Sequence, residues 1–191
     1  NSIISGTIGN WNTSYGMRSL LSNTSGGGNI AFGADAGQAN TTGYYNTFIG
    51  YQSGYSNTSA MQNTFIGRQS GYNNTTGYSN VFVGTITGFN NSTGSSNTYI
   101  GDGSGTANTT GYENTFNGYG SGGSNTTGYY NTFVGSLTGQ QNTTGRLNTF
   151  IGQAAGAHNT VGEKGTFLGY NSGHFSTGPS NTLLGYYAGY S

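Results

Sequence analysis

A 17-residue repeat constrains this chain more than any other feature of its sequence. The phrase Asn-Thr-Phe-Ile-Gly, or a close variant, recurs every 17 residues from Asn12 to Gly165, and one more copy follows after 16 residues at Asn181. Eleven registers of one unit therefore cover nearly the whole chain. The unit is too short for a pair of helices, and its only apolar stretch, bounded by turn residues, is typical of a short strand.

The columns of the repeat separate fixed positions from variable ones when positions are numbered from the first Asn of the phrase. Position 5 is Gly in every unit, position 9 is Gly except for Leu20, and position 15 is Gly in most units. Such columns indicate places where the backbone needs a positive φ or a close approach. Position 8 is always Ser, Ala or Thr, and positions 1 and 12 are mostly Asn.

Strands that recur at a fixed spacing between Gly corners predict an all-β fold: a parallel β-solenoid, or β-roll, of about eleven 17-residue coils. Each coil is expected to hydrogen-bond to the next about 4.8 Å along the axis, which gives a rod of roughly 50 Å. The Asn columns would then stack into ladders that satisfy their side-chain amides. We expect residues 1–191 to form one repetitive domain, a segment of a longer fibre.

Two neighbouring columns of the strand are apolar, although adjacent strand residues point to opposite faces. Position 3 is mostly Phe and position 4 mostly Ile, Val or Leu, so one column must face outward. A long outward apolar stripe predicts burial by a partner chain. The alternative is a wide solenoid with a loop folded over the stripe. The Phe column is the predicted subunit interface: Phe48, Phe65, Phe82, Phe116, Phe133, Phe150 and Phe167.

The remaining positions 6, 7, 10, 11, 16 and 17 hold all eight charged residues, both His and most of the 16 Tyr. We interpret these positions as solvent-facing corners. Their aromatic, nearly uncharged surface is suited to stacking on sugars or packing against neighbouring fibres. Cross-strand pairing of Tyr in exposed β-structure explains the column equally well. The predicted surface-binding residues are Tyr44, Tyr45, Tyr51, Tyr55, Tyr72, Tyr78, Tyr112, Tyr129 and Tyr130.

Composition excludes several classes of protein. Only 4% of the residues are charged and the net charge is zero, which argues against nucleic-acid binding. No apolar run approaches the roughly 20 residues that span a bilayer, so we expect no membrane insertion by this segment. The chain has no Cys for a disulfide scaffold and too little Pro for collagen. Its 26 Tyr and Phe residues are unlike the composition of disordered chains.

Catalytic constellations are missing from the sequence, so we expect neither an enzyme nor a cofactor. The four carboxylates fall in different columns, and no pair is placed for acid-base chemistry. His158 and His174 lie on neighbouring coils, and an incidental surface pair is a better interpretation than a metal site. The Asp residues that calcium-binding β-roll repeats carry in each turn are absent.

The run Asn46-Thr47-Phe48-Ile49-Gly50, followed by Gly54 and Asn57, and its copies along the chain resemble the head repeats of YadA-like trimeric autotransporter adhesins. They are also similar to repeats of phage-type tail fibres. The resemblance implies a left-handed parallel β-roll, a homotrimer about one axis, and an extracellular position at a cell or virion surface. This chain differs from that family in two ways: its coil is a few residues longer, and it has Phe where adhesin heads usually have a small residue.

The sequence therefore favours a structural or adhesive segment of an extracellular fibre that binds host, glycan or matrix surfaces. One alternative is a self-assembling filament subunit, and a weaker one is an ice-binding solenoid, suggested by Thr columns at positions 2 and 13. Ice faces usually need two outward Thr columns on one strand, whereas position 4 here is apolar. Asn-x-Ser/Thr triplets recur at position 12, and a structural Asn ladder already explains them.

Overall fold

The computed structural model describes residues 11–190 and confirms the parallel β-solenoid. Eleven three-residue strands form one parallel sheet in sequence order, and each strand pairs with the next in the register of the repeat. No helix occurs within residues 11–190. The first ten residues of the predicted domain and Ser191 lie outside the described part. The strands are β1 Thr13–Tyr15, β2 Ile30–Phe32, β3 Thr47–Ile49, β4 Thr64–Ile66, β5 Val81–Val83, β6 Thr98–Ile100, β7 Thr115–Asn117, β8 Thr132–Val134, β9 Thr149–Ile151, β10 Thr166–Leu168 and β11 Thr182–Leu184.

Hydrogen bonds between successive coils continue beyond the strands into the turns. Thr47 N donates to Asn63 O at 2.8 Å at the start of β3, and Gly54 N donates to Ser70 O at 2.9 Å in the turn that follows. Buried backbone groups need such partners, and here the neighbouring coil supplies them. Three-residue strands are therefore sufficient, because the turns extend the axial hydrogen bonding of the sheet.

The interior of the solenoid is a column of aromatic rings from position 3. Between Phe65 and Phe167, successive rings stack with centroids 4.4 to 4.9 Å apart and interplanar angles of 2° to 8°. All rings from Phe48 to Phe167 are fully buried. The spacing matches that of neighbouring strands, so the sheet itself sets the distance between rings. One ring per coil fills the core along the axis.

Position 9 forms the opposite wall of this core, and its side chain compensates for the size of position 3. A Cβ on Gly54 would collide with the Phe48 ring of the same coil. In the first coil the sizes are reversed, since Ser14 stands at position 3 and Leu20 at position 9. Leu20 is fully buried and supplies the volume that Ser14 lacks. The column of Gly at position 9 therefore exists to accommodate the rings.

Two buried Asn ladders run along the axis, as the sequence predicted. At position 1, Asn63 Nδ2 donates to Asn46 Oδ1 at 3.2 Å and to Gly77 O at 2.9 Å, and Asn63 N donates to the same Oδ1 at 3.0 Å. At position 12, Asn74 Nδ2 donates to Asn57 Oδ1 and to Gly77 O, both at 3.0 Å. The position-15 carbonyl thus joins the two ladders, and the buried amides of Asn63 and Asn74 are fully satisfied by their neighbours.

The position-12 ladder accounts for the recurring Asn-x-Ser/Thr triplets. Their side chains are fully buried, and their amide nitrogens donate within the rod. A glycosyl group on such a nitrogen has no space, so the folded rod does not offer these triplets as glycosylation sites. The residues are Asn40, Asn57, Asn74, Asn91, Asn108, Asn125 and Asn142.

Glycines at positions 5 and 15 are required by close approach between coils. Gly50 has a φ of 129°, and a Cβ there would lie 2.5 Å from Gly67 O in the next coil. At position 15, a Cβ on Gly77 would collide with Gly94 O and with Asn74 Oδ1 of the ladder. Both predicted reasons for Gly are thus confirmed: positive φ at position 5 and close approach at both positions.

Positions 7 and 17 form two further columns of left-handed backbone that are mostly occupied by residues other than Gly. Ile86 and Leu137 at position 7 have φ values of 49° and 57°, and Tyr45 and Lys164 at position 17 both have 58°. Each such residue costs of order 1–3 kcal/mol of strain. The neighbouring coil fixes the conformation, since Tyr45 N donates to Gly27 O at 3.0 Å.

We expect Gly50→Ala to lower the thermal unfolding midpoint much more than Gly185→Ala. Both glycines have φ near 125°, so backbone strain is common to both substitutions. A Cβ meets Gly67 O in the first case and no atom within 4 Å in the second. Unfolding followed by circular dichroism measures the difference. Equal shifts in the two variants would contradict coil-to-coil contact as the reason for this column.

Tyr99 carries the one hydroxyl in the ring column, and this hydroxyl makes no hydrogen bond although it is fully buried. Burial raises the pKa of Tyr99 far above its usual value, and the nearby Asn114 side chain partly offsets this rise. The contact with Asn114 does not meet the distance and angle requirements of a hydrogen bond. An unsatisfied buried hydroxyl destabilises the fold.

We therefore expect Tyr99→Phe to stabilise the rod by about 1 kcal/mol and Phe116→Tyr to destabilise it by a similar amount. An unfolded Tyr loses its proton near pH 10, whereas folded Tyr99 keeps it. Above that pH the unfolded state binds fewer protons, so stability falls as pH rises, and Tyr99→Phe removes this contribution. Denaturation at pH 7 and pH 11 tests both effects. A less stable Tyr99→Phe variant would contradict the unsatisfied hydroxyl.

Candidate binding surfaces

The predicted Phe interface is wrong, because the rod itself buries this column. Phe48, Phe65, Phe82, Phe116, Phe133, Phe150 and Phe167 all have no exposed surface. They point into the coil, where they stack on one another and on the Gly of position 9. No second chain can reach them without unfolding the core. The apolar column that faces outward is position 4.

The outer face of the sheet consists of positions 2 and 4, which point away from the ring column on every strand. Position 2 is mostly Thr and position 4 is mostly Ile, Val or Leu. Ile49, Ile100 and Ile151 are 37 to 40% exposed, although each is flanked by the same column on neighbouring coils. No charged residue occurs within β1 to β11. The result is an uncharged stripe along the rod that consists of one Thr row and one aliphatic row.

The stripe departs from its pattern at position 2, where Ile30 and Val81 replace Thr, and at position 4 on three strands. Tyr15 and Phe32 replace the aliphatic residue on β1 and β2, and Asn117 interrupts it on β7. Asn117 is exposed, which agrees with an outward position 4. The face is therefore not perfectly periodic, and the aromatic end differs from the aliphatic remainder.

The predicted surface tyrosines lie on the exterior, but many of their ring faces are already covered. Tyr55 stacks on Tyr72 at 4.9 Å with an interplanar angle of 2°, and Tyr72 stacks on Phe89 at 5.0 Å. Tyr112 and Tyr129 stack at 4.9 Å. Such stacks leave mainly ring edges and hydroxyls to solvent. The cross-strand interpretation therefore applies to these four tyrosines.

Other predicted tyrosines keep their ring faces accessible. Tyr51, Tyr78 and Tyr119 are 49%, 53% and 62% exposed. None of the three makes a ring contact within the described chain. Tyr44 and Tyr45 touch each other only at a tilt, with centroids 6.2 Å apart. Tyr130 meets Tyr112 and Tyr129 edge-on. Residues with free faces are those that can stack on a ligand.

One charged residue contradicts the expectation of solvent-facing corners. Asp35 at position 7 is only 2% exposed and accepts hydrogen bonds from Arg18 of the preceding coil, at 2.6 Å from Nε and 2.9 Å from Nη2. This hydrogen-bonded pair raises the pKa of Arg18. A second pair joins Arg146 Nη2 to Glu163 Oε1 at 2.9 Å, and Arg146 Nη1 donates to Tyr129 Oη. The charged groups of these two pairs are therefore neutralised by contacts within the rod.

His158 and His174 do lie together, with ring centroids 4.5 Å apart. Phe175 packs against both rings, and His174 Nδ1 lies 3.3 Å from Ala154 O. Residues 11–190 contain no group of three or more His, Cys, Asp or Glu side chains placed to hold a metal ion. The two rings therefore belong to an aromatic cluster that packs the last coils.

In the described part of the chain there is no helix long and apolar enough to cross a membrane. No protein-family model, curated protein or solved structure matches the sequence or fold of this chain. The likeness to adhesin and tail-fibre repeats thus remains a prediction from the quoted motif.

One signal in the sequence identifies the outward column. Position 4 accepts Asn117 and Tyr15, whereas position 3 accepts only Ser14, Ala31, Leu183 and aromatic rings. A buried Asn117 would find no polar partner among the aliphatic residues of its own column. Asn117 therefore marks position 4 as the exposed column. The left-handed columns at positions 7 and 17 carry no comparable signal.

Proposed function

We propose that this chain is a structural and adhesive segment of an extracellular fibre, in which copies of the chain pack side by side through the outer strand face. The observation that carries the proposal is the uncharged stripe of positions 2 and 4, which is continuous over eleven strands. The resemblance to trimeric adhesin heads supplies the expected number of three chains. The proposal includes no catalytic step and no cofactor.

The size of the face supports association with a second copy. Eleven strands at about 4.8 Å, each about 10 Å long, present roughly 500 Å². This is near the upper end of apolar patches on monomers, which reach about 600 Å². A stable interface needs roughly 800 Å² per partner. Position 6 borders the strand face, and its exposed Met17, Tyr170 and Tyr186 extend the area available to a second copy.

The chemistry of the face also favours another copy over a different partner. One row of mainly Ile, Val and Leu and one row of mainly Thr run along the face with a residue spacing set by the coils, so an identical rod presents the same spacing. A charged partner would find no counter-charge on β1 to β11. The axial ladders are fully used inside the rod, which leaves side-chain packing as the main attraction between copies.

An adhesive role is supported by the exterior tyrosines whose ring faces are free. Tyr51, Tyr78 and Tyr119 project from the corners with free ring faces, as suits a neutral glycan held by stacking and hydrogen bonds. Ice binding is the second candidate, because positions 2 and 4 do share one flat outward face. That face carries one Thr row rather than two, so the fibre remains the better proposal.

We expect the triple variant Ile49→Lys, Ile100→Lys and Ile151→Lys to convert the associated protein into single rods. Three buried, unpaired charges per chain would oppose side-by-side packing. Sedimentation equilibrium measures the mass of the particle. The matched control replaces the exposed Thr76, Thr110 and Thr144 of position 14 with Lys, and it should leave the mass unchanged. A parent that remains monomeric at all concentrations would contradict the proposal.

We expect retention on an immobilised neutral polysaccharide to depend on free ring faces rather than on charge. Replacing Tyr51, Tyr78 and Tyr119 with Ser should weaken retention, whereas replacing Tyr55 and Tyr72 should weaken it less. Retention should change little between low and high salt, because few charges are screened. Ice-crystal shaping by the parent, or equal retention of both variants, would count against the adhesive role.

A further inference from the structure

Two pairs of exterior tyrosines stack in register on neighbouring coils, and of their four phenol groups only that of Tyr129, which accepts a hydrogen bond from Arg146, has a contact described so far. Tyr55 and Tyr72 occupy position 10 of consecutive coils, with centroids 4.9 Å apart and rings within 2° of parallel. Tyr112 and Tyr129 occupy position 16 of consecutive coils, at 4.9 Å and 5°. In both pairs the coil spacing holds one phenol directly over another.

In-register stacking brings the reactive carbons of the two rings together. Equivalent atoms of stacked rings lie about one coil spacing apart, roughly 4.8 Å, so each ortho carbon faces its counterpart. A phenoxyl radical carries much of its unpaired spin at these ortho carbons. Each side chain can turn about χ1 and χ2, and opposite turns of the two rings close the remaining gap.

The surroundings of Tyr55 and Tyr72 restrict coupling to this pair. Both side chains are half-buried, so part of each ring is open to an oxidant in the solvent. The second face of Tyr72 is covered by Phe89 at 5.0 Å, which has no hydroxyl. Position 10 of the preceding coil is Gln38, so the Tyr stack ends there as well.

We propose that these stacked pairs, Tyr55 with Tyr72 and Tyr112 with Tyr129, are sites of oxidative dityrosine cross-linking between adjacent coils. The co-reactant is a one-electron oxidant of the haem-peroxidase class working with hydrogen peroxide. Each phenol loses one electron and one proton, and the two radicals form a carbon–carbon bond between their ortho carbons. The ortho hydrogens then move to the phenol oxygens. One hydrogen peroxide accepts the two electrons and two protons and leaves as two water molecules.

The cross-link would join adjacent coils by a covalent bond, for which the amino-acid composition offers no disulfide. The chain has no Cys, so no disulfide can join its coils. A bond between Tyr55 and Tyr72 closes a loop of about one coil and restricts the unfolded chain, as a disulfide of the same span does. The inference does not depend on the proposed association of rods, since both tyrosines of a pair belong to one chain.

The experiment oxidises the dilute full chain with horseradish peroxidase and hydrogen peroxide. Denatured protein of single-chain mass is then isolated and digested with trypsin. Cleavage after Arg18, Arg68 and Arg146 separates Tyr55 from Tyr72, in fragments 19–68 and 69–146. A dityrosine between them joins the two fragments, which mass spectrometry detects. Tyr55→Phe keeps the stacked ring but removes one phenol, and Tyr119→Phe removes a phenol that is not stacked.

We expect the joined fragments in the parent and in Tyr119→Phe, and their loss in Tyr55→Phe. Fragmentation should place the bond at Tyr55 and Tyr72, and a second bond within fragment 69–146 at Tyr112 and Tyr129. Joined fragments found only in species heavier than one chain would overturn the proposal. Dityrosine fluorescence without joined fragments, or joined fragments that persist in Tyr55→Phe, would overturn it as well.

Discussion

The structure depends on the hydrogen-bonded stacking of identical residues along the axis, above all in the two buried Asn ladders. Each Asn oxygen accepts from the next coil, and each Asn nitrogen donates to the previous Asn and to a carbonyl of its own coil. An amide buried without these partners would be costly. A coil therefore satisfies its buried amides only against neighbours of the same register, which explains the strict 17-residue interval.

The single departure from that interval shows what the ladders require. Gly165 takes position 1 of the tenth coil, and its backbone N still donates to Asn148 Oδ1 at 2.8 Å. At position 12, Asn159 Nδ2 donates to Ser176 O instead of continuing the ladder, and Asn142 Oδ1 is left without a partner. The missing residue of this coil thus coincides with the end of both ladders. The side-chain ladders stop near the shortened coil, whereas backbone hydrogen bonds such as that from Thr166 N to Asn181 O continue across it.

The same constraint decides which residues remain for function. Contacts between coils involve the Asn and Gly columns, the small residue of position 8 and the rings of position 3. Only the outer strand face and the corner columns remain free to vary, and these hold the aliphatic stripe and the tyrosines. A surface produced in this way repeats along the rod with few interruptions and is poor in charge. Such a surface is better suited to lateral packing and weak multivalent contacts than to catalysis at a single site.

Much of the fold follows from the sequence, because contacts between identical positions appear directly as columns. The columns reveal the register, the strands, the Asn ladders and the need for Gly at position 5, where Gly50 lies. The direction of the Phe and Ile columns was not resolved, since both are apolar and a three-residue strand has no alternation to distinguish them. The left-handed conformation of Ile86, the burial of Asp35 and the stacking of Tyr55 depend on neighbouring coils, and local sequence does not encode them.

Mass per unit length tests side-by-side packing most directly, because it distinguishes lateral association from growth at the ends. A single rod of 19.7 kDa over roughly 50 Å has about 0.4 kDa per Å. Small-angle X-ray scattering of the assembled particle gives this quantity independently of its length. Three rods in lateral contact predict about 1.2 kDa per Å, with the aliphatic stripes inside. A value of about 0.4 kDa per Å, whatever the length of the particle, would contradict lateral packing through the strand face.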